Sequence, residues 1–252
     1  MTAQLLKLAR TLGVPVEQLA YLADVPDADL REFRRQVTDL FVAGQAAGLR
    51  RVAQASKVIP TPITAKMVAR SRGALLAARM SGVLDPSHAV DVAKRLPVDF
   101  LAEIAARLDP RHSAAIIGGL PEATIVAVGK ELAAREDWIT LGELVASIPD
   151  TAARATESAL DGIALVRSAY LVEDAAQLER FVNLASPGKL TEMLCATAEN
   201  DLWSEYRGTL NALSESAVDA VRAAAEQLPA EQRARALAEI AERSASQRSR
   251  QR

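Results

Sequence analysis

His88 and His112 are the only two histidines of the chain, and each stands three residues after an aspartate, in Asp85-Pro86-Ser87-His88 and Asp109-Pro110-Arg111-His112. Imidazoles beside carboxylates suit zinc or a similar ion, and equivalent positions in a stack would set them one above the other as an Asp/His ladder. A firm site needs three or four ligands in fixed geometry. A helix start that simply repeats its residue type explains the pair without metal, so neither a metal nor a cofactor is expected. Nucleophilic catalysis fares no better. The single cysteine, Cys195, lies in the apolar helical run Met193-Leu194-Cys195-Ala196, where cysteine behaves as a small hydrophobe. Both histidines are spent on repeat positions, so a triad has little to draw on. Carboxylates are plentiful but fall at helix caps and surface positions such as Glu136-Asp137. The chain reads as a non-enzyme.

Two further phrases resemble ligand-binding loops and lack their chemistry. Gly118-Gly119 precedes Leu120-Pro121 without the lysine and spacing of a phosphate loop, and glycine at that point ends a helix. Leu12 to Ala20 has the outline of a helix-turn-helix turn, but its second helix holds no Arg or Lys to meet bases or phosphates. With a net charge of −2, nucleic acid is not an expected partner. The segment Lys66 to Met80 mixes Arg70, Arg72 and Arg79 with Met67, Leu75, Leu76 and Met80. It reads first as a core helix with surface arginines, and second as a basic amphipathic helix able to lie on an anionic membrane. Met67, Leu76 and Met80, together with Met193, form the candidate lining of an adaptable apolar groove.

The elements that would position these residues announce themselves by proline. Leu84-Asp85-Pro86 leads through a short apolar stretch to Leu96-Pro97, and twenty-four residues later Leu108-Asp109-Pro110 leads to Leu120-Pro121. Each Asp is a natural N-cap, and each following Pro takes the first helical position, where its missing N–H costs nothing. Helices of about ten residues are too short to persist alone, so stacking must hold them. A longer repeat of sixty-five residues underlies the short one. It sets Asp109 on Asp174, Ile116-Ile117 on Phe181-Val182, Ile125 and Val128 on Leu190 and Met193, and Trp138 on Trp203. Such periods mark helical repeats whose units bury their apolar faces against one another.

Ahead of the repeats, Leu5, Leu8, Ala9 and Leu12 form one helical stripe that Gly13 ends. Pro15 opens a short second helix to Leu22. A long helix is expected from Ala28 to Ala55, burying Leu30, Phe33, Val37, Leu40 and Phe41. Pro60 and Pro62 then close the N-terminal helical unit, residues 1–59. The repeat domain spans 60–243. It opens with a helix from Ile63 to Leu84 and closes with one from Pro229 to Ser244. The Ser/Gln/Arg-rich residues 244–252 are expected to be a disordered basic tail. Between Asp161 and Pro229 eleven acids face five bases, whereas from Ala230 onward six arginines face three glutamates.

Half the residues are apolar, aromatics are 4%, and no β-alternating run is evident. The fold class is therefore all-α: stacked short helical hairpins, an α-solenoid-like superhelix with an N-terminal helical unit. One cysteine permits no internal disulfide, no signal peptide is evident, and no apolar run reaches bilayer length. A cytoplasmic location follows as the expectation. Arginine in excess of lysine suits a GC-rich bacterial genome.

The phrases Leu96-Pro97-Val98-Asp99-Phe100-Leu101-Ala102-Glu103-Ile104, Leu108-Asp109-Pro110 and Leu120-Pro121-Glu122 resemble the N-terminal superhelical domain of MgtE-type magnesium transporters. More distantly, they are similar to the helical repeats of flagellar motor switch proteins. The likeness spans about residues 84–160. It implies short stacked helices and carries no metal-binding residue across. Nothing in the chain reads as the regulatory pair domain or the membrane bundle of those transporters.

Function is then expected to lie in surface or interior rather than in a catalytic cluster. The leading expectation is a non-catalytic scaffold or adaptor that binds another protein through its repeat surface. The alternative is a carrier or sensor of an apolar, lipid-like small molecule held between helices. Short helices rich in Ala, Val and Leu and poor in aromatics can leave a cavity between layers, and several hundred Å³ would set the carrier apart.

Overall fold

The computed structural model describes residues 2–43, 59–71 and 73–250, with side chains placed for all of these but 41–43 and 244–250. Every regular element among the described residues is helical. The N-terminal unit comprises α1 (Ala3–Leu12), a 3₁₀ helix (Val16–Leu22) and α2 (Asp27–Ala43). Thr2 caps α1 by accepting from the Leu5 amide, and Gly13 ends it at φ 69°, a left-handed conformation that favours glycine. Leu5, Leu8, Ala9, Leu19 and Leu30 make a small core of their own. On α2, Leu30 is buried, but Phe33 and Leu40, expected to be buried with it, face outward at 50% and 72% exposure. Val37 of the same stripe is half-buried, and the apolar contact of α2 is centred on Leu30 in its first turn. Phe41 and the expected continuation to Ala55 lie outside the described side chains and residues.

The stack runs through α3 (Thr61–Ser71), α4 (Ala74–Ser81), α5 (Pro86–Ala93), α6 (Val98–Ala105), α7 (Pro110–Gly118) and α8 (Glu122–Ala134). It continues with α9 (Trp138–Leu144), a 3₁₀ turn (Val145–Ser147), α10 (Asp150–Ala159), α11 (Gly162–Tyr170) and α12 (Ala175–Leu184). The last elements are α13 (Pro187–Glu199), α14 (Trp203–Ala212), α15 (Glu215–Ala225) and α16 (Ala230–Arg250). Helices pack on the next but one: α3 on α5, α4 on α6, α5 on α7, α6 on α8, α8 on α10 and α11 on α13. That alternation is what stacked hairpins produce.

Both sequence periods reappear as helix boundaries. α5 and α7 begin at Pro86 and Pro110, and α6 and α8 at Val98 and Glu122, twenty-four residues apart. At the longer period, α8 (Glu122–Ala134) falls on α13 (Pro187–Glu199), and α9 and α10 begin sixty-five residues before α14 and α15. Asp85, Asp109 and Asp174 each cap a helix, accepting from the backbone amides of Ser87, Arg111 and Ala176. Even the irregular turn is copied, since Glu136 and Asp201 hold φ 55° and 51° at matching positions. Trp138 and Trp203 each lie under an arginine, Arg167 at 5.8 Å and Arg235 at 4.6 Å from the ring centroid.

Two elements depart from the sequence reading. The helix expected from Ile63 to Leu84 is two helices, α3 and α4, with Gly73 serving as the N-cap of the second. Glycine destabilises a helix interior by about 1 kcal/mol, and a break here lets α4 seat Ala74 and Ala78 against Phe100 and Ile104. At the other end, α16 carries helical backbone to Arg250, across most of the segment expected to be a disordered tail. Extending an established helix needs no new nucleus, so polar residues can prolong it. Arg243 anchors α16 by donating to the Leu210 carbonyl at 2.7 Å, to the Leu213 carbonyl and to Glu215.

The N-terminal unit is fastened to the stack by ions. Lys7, 1% exposed, donates to Glu173 at 3.0 Å, and Arg34 pairs with both Glu143 and Glu173. Arg10 forks onto Asp137 and also reaches the Ala106 carbonyl at 2.9 Å and Thr140 Oγ1 at 2.7 Å. Burial pushes the Lys7 ammonium below its ordinary pKa despite both glutamates. Burial also opposes ionisation of Glu173, but Lys7 and Arg34 outweigh it and hold the carboxyl below its usual range. No helix among the described residues is long and apolar enough to cross a membrane.

Candidate functional site

A cavity of about 510 Å³ runs between the helical layers, with every helix from α3 to α12 contributing to its wall. Its lining is almost wholly aliphatic. Ala77, Ala93, Val128, Leu132, Ile116 and Leu165 are representative, and Phe181 is the one aromatic side chain among the described lining residues. Helix-facing positions filled by Ala, Val and Leu bring the layers into contact without filling the space between them. Ligand pockets commonly fall between about 300 and 1,000 Å³ and are lined in this way.

The cavity wall is most exposed on α3 and α4. Met67 and Leu76 line the cavity and are also 57% and 55% exposed, with exposed Ile63 and Leu75 as neighbours in sequence. Met80, on α4, lines the interior and is buried. Three of the four residues predicted to line an apolar groove therefore sit on one cavity. Met193 does not join them. It lines a separate crevice of about 40 Å³ with Tyr206, Leu190 and Val221.

Polar side chains on the wall are few, and most of their hydrogen-bonding capacity is already used. Ser71 Oγ donates to the Val68 carbonyl at 2.9 Å, and Thr64 Oγ1 to the Pro60 carbonyl at 3.4 Å. Ser81 Oγ donates to the Ala78 carbonyl at 2.6 Å and shares a 2.7 Å bond with Ser113 Oγ. Ser168 Oγ donates to the Leu165 carbonyl at 3.2 Å. Thr156 Oγ1 and Glu157 Oε1 are the exceptions, both buried and both without a partner. They lie on α10 in the stripe Ala153, Thr156, Glu157, Leu160, all four of which line the cavity. Spacings of three and four residues put them on one helical face.

Close packing holds that face in place. A Cβ at Gly129 of α8 would stand 2.8 Å from Thr156 Cγ2, so α8 and α10 meet at glycine-limited distance beside the threonine. Glu157 is 5% exposed, and burial raises its carboxyl from 4.5 to about 7 against the opposing pull of Lys189 and Arg154. A neutral buried acid can both donate and accept, which an ionised one cannot. Sequence reading passed over Glu157 because carboxylates were assigned to caps and surfaces. The available signal was its place four residues after Ala153 and three before Leu160, inside an apolar stripe.

The chemistry weighed first in the sequence is arranged differently. His112 Nδ1 lies 3.2 Å from its own capping Asp109, and His88 Nε2 is buried without a partner. Among the described residues no group of three or more His, Cys, Asp or Glu converges on a point. Cys195 is half-buried against the core, and its thiol is pushed above the ordinary range by burial and by Glu199 and Glu192. A raised thiol pKa disfavours the nucleophilic thiolate.

Comparison of the chain with protein-family models, with curated proteins and with solved structures finds no match in any of the three.

Proposed function

We propose that this protein carries or senses an apolar, lipid-like small molecule held in the cavity between its helical layers. One observation carries the reading: an aliphatic cavity of about 510 Å³ lies between the helical layers, with its most exposed wall residues, Met67 and Leu76, on α3 and α4. A wall of this kind offers a guest transfer free energy and little else. Each methylene moved from water to such surroundings gains about 0.8 kcal/mol. Ten of them give a gross gain of about 8 kcal/mol, the scale of a micromolar dissociation constant before the costs of association. A second reading, docking of another protein, draws support from the outward-facing Phe33 and Leu40, two turns apart on α2.

Native mass spectrometry of protein purified from its own host, followed by denaturing analysis, separates the two. A non-covalent mass of a few hundred daltons that leaves on denaturation is the expected result. A bare chain that also fails to bind an apolar fluorophore would overturn the carrier, and a co-purifying polypeptide would favour the scaffold.

A further inference from the structure

We propose that Thr156 and Glu157 are the head-group site of the cavity, and that its occupant is a neutral single-chain amphiphile ending in a hydroxyl, such as a long-chain or isoprenoid alcohol. The inference rests on the reading of the cavity as a carrier site and adds the chemistry of the guest. Buried polar groups without partners are uncommon in folded proteins. Here two occur on consecutive residues, at 9% and 5% exposure, in a wall whose other hydroxyls are already bonded. Leaving both unsatisfied in an aliphatic lining is unfavourable, and a guest bearing a matching polar end removes the penalty.

The charges nearby select among heads. A carboxylate guest would bring a second acid against Glu157. An ammonium guest would enter the field of Lys189 and Arg154, the two cations that act on Glu157. Lys189 is committed to the Leu160 carbonyl at 2.9 Å and Glu192 at 2.7 Å, so it is not turned to serve an anionic guest. A hydroxyl suits the remaining requirements. It can accept from Thr156 and donate to Glu157 Oε1, whichever protonation state the acid holds. The hydrocarbon then extends along the aliphatic wall toward Met80 and the exposed side at Met67 and Leu76.

Displacement of an apolar fluorophore from the full chain by tetradecanol, methyl tetradecyl ether, tetradecanoate and tetradecylamine tests the assignment. Tetradecanol is expected to displace the dye at roughly one-tenth the concentration needed for the ether or the carboxylate, because all three can accept from Thr156 but only the alcohol can also donate to Glu157 Oε1. Glu157→Leu should bring alcohol and ether to parity, whereas Thr156→Val should weaken both by a similar factor, with dye affinity retained in each variant. Glu157→Gln keeps a donor and an acceptor, so it should preserve the alcohol preference and narrow the discrimination against tetradecanoate. Equal displacement by alcohol, ether and carboxylate in the wild type would overturn the head-group site while leaving the carrier standing. Tightest binding of the amine would also overturn it. If no chain displaces the dye, or the dye does not bind, the carrier reading fails and the head-group site with it.

Discussion

Glu157→Gln is expected to change the pH dependence of folding in a defined window. In the folded protein burial raises the carboxyl from 4.5 to about 7, so the native state holds its proton more tightly than the unfolded chain. Folding therefore takes up a proton between these values, and stability falls as pH rises through them. The penalty is absent below the unfolded pKa and complete above the folded one. A displacement of this size corresponds to about 3 kcal/mol in a dry site, and to about half that where the cavity admits solvent. Glutamine keeps the shape and carries no proton to exchange. Urea unfolding of both proteins from about pH 4 to about pH 8 should show curves that coincide at the acid end. At the alkaline end the variant should be more stable by about 1.5–3 kcal/mol. Acid loss from the carboxylates with lowered values, Asp109, Asp137 and Glu173, is common to both proteins and cancels. A constant difference across the range, or a variant whose advantage over the wild type shrinks between pH 4.5 and 7, would refute the burial of this acid.

Other perturbations test the stack and its attachments. Leu120→Asp should lower stability by about 3 kcal/mol, because Leu120 bridges two apolar clusters and an aspartate there has no partner; an unchanged melting temperature would mean that the repeat register is wrong. Gly162→Ala should cost about 1–3 kcal/mol in chemical denaturation, since its Cβ would lie 2.7 Å from the Glu192 carbonyl oxygen where α11 meets α13. Lys7→Ala removes the buried cation from between Glu143 and Glu173 and should cost about 3 kcal/mol. Hydrogen exchange should place that loss in α1 and its partners, and protection unchanged in α1 would show that the ion cluster does not fasten the N-terminal unit. Because Glu173 is held below its usual range, the same attachment should weaken as pH falls through that lowered value and be at full strength above the ordinary carboxylate pKa.

Helix starts were legible because their chemistry is local. An Asp followed by Pro states both a cap and a first helical position, and the structure places Asp85 and Asp109 at two such starts, with Asp174 capping a third helix that begins at Ala175. Both repeat periods were legible too, and the structure extends the longer one to the left-handed residues Glu136 and Asp201. Reading weakened wherever the answer depended on what lies opposite. Phe33 and Leu40 form a sound helical stripe with Leu30, yet of the three only Leu30 is buried, and periodicity alone cannot say which turns of a stripe find an apolar partner. Gly73 could have been a tolerated interior glycine, and the helix start it caps is chosen by packing of Ala74 and Ala78 on Phe100.

The cavity belongs to this second kind of feature, since it arises between elements and not within one. Each helix carries an ordinary stripe of small aliphatic residues, and any one of them reads as core. The space appears when those stripes from α3 to α12 face a common interior with Phe181 as the one aromatic among the described wall residues. Met67, Leu76 and Met80 could be grouped from sequence because they lie within one short amphipathic segment, whereas Met193 joined them by residue type and lies elsewhere. Glu157 is the reverse case. Its type placed it at the surface, while its spacing from Ala153 and Leu160 placed it on the buried face. Where residue type and helical position disagree inside an apolar stripe, position decides the location. The disagreement itself marks a group kept at a cost to folding, and in this protein that group faces the aliphatic cavity.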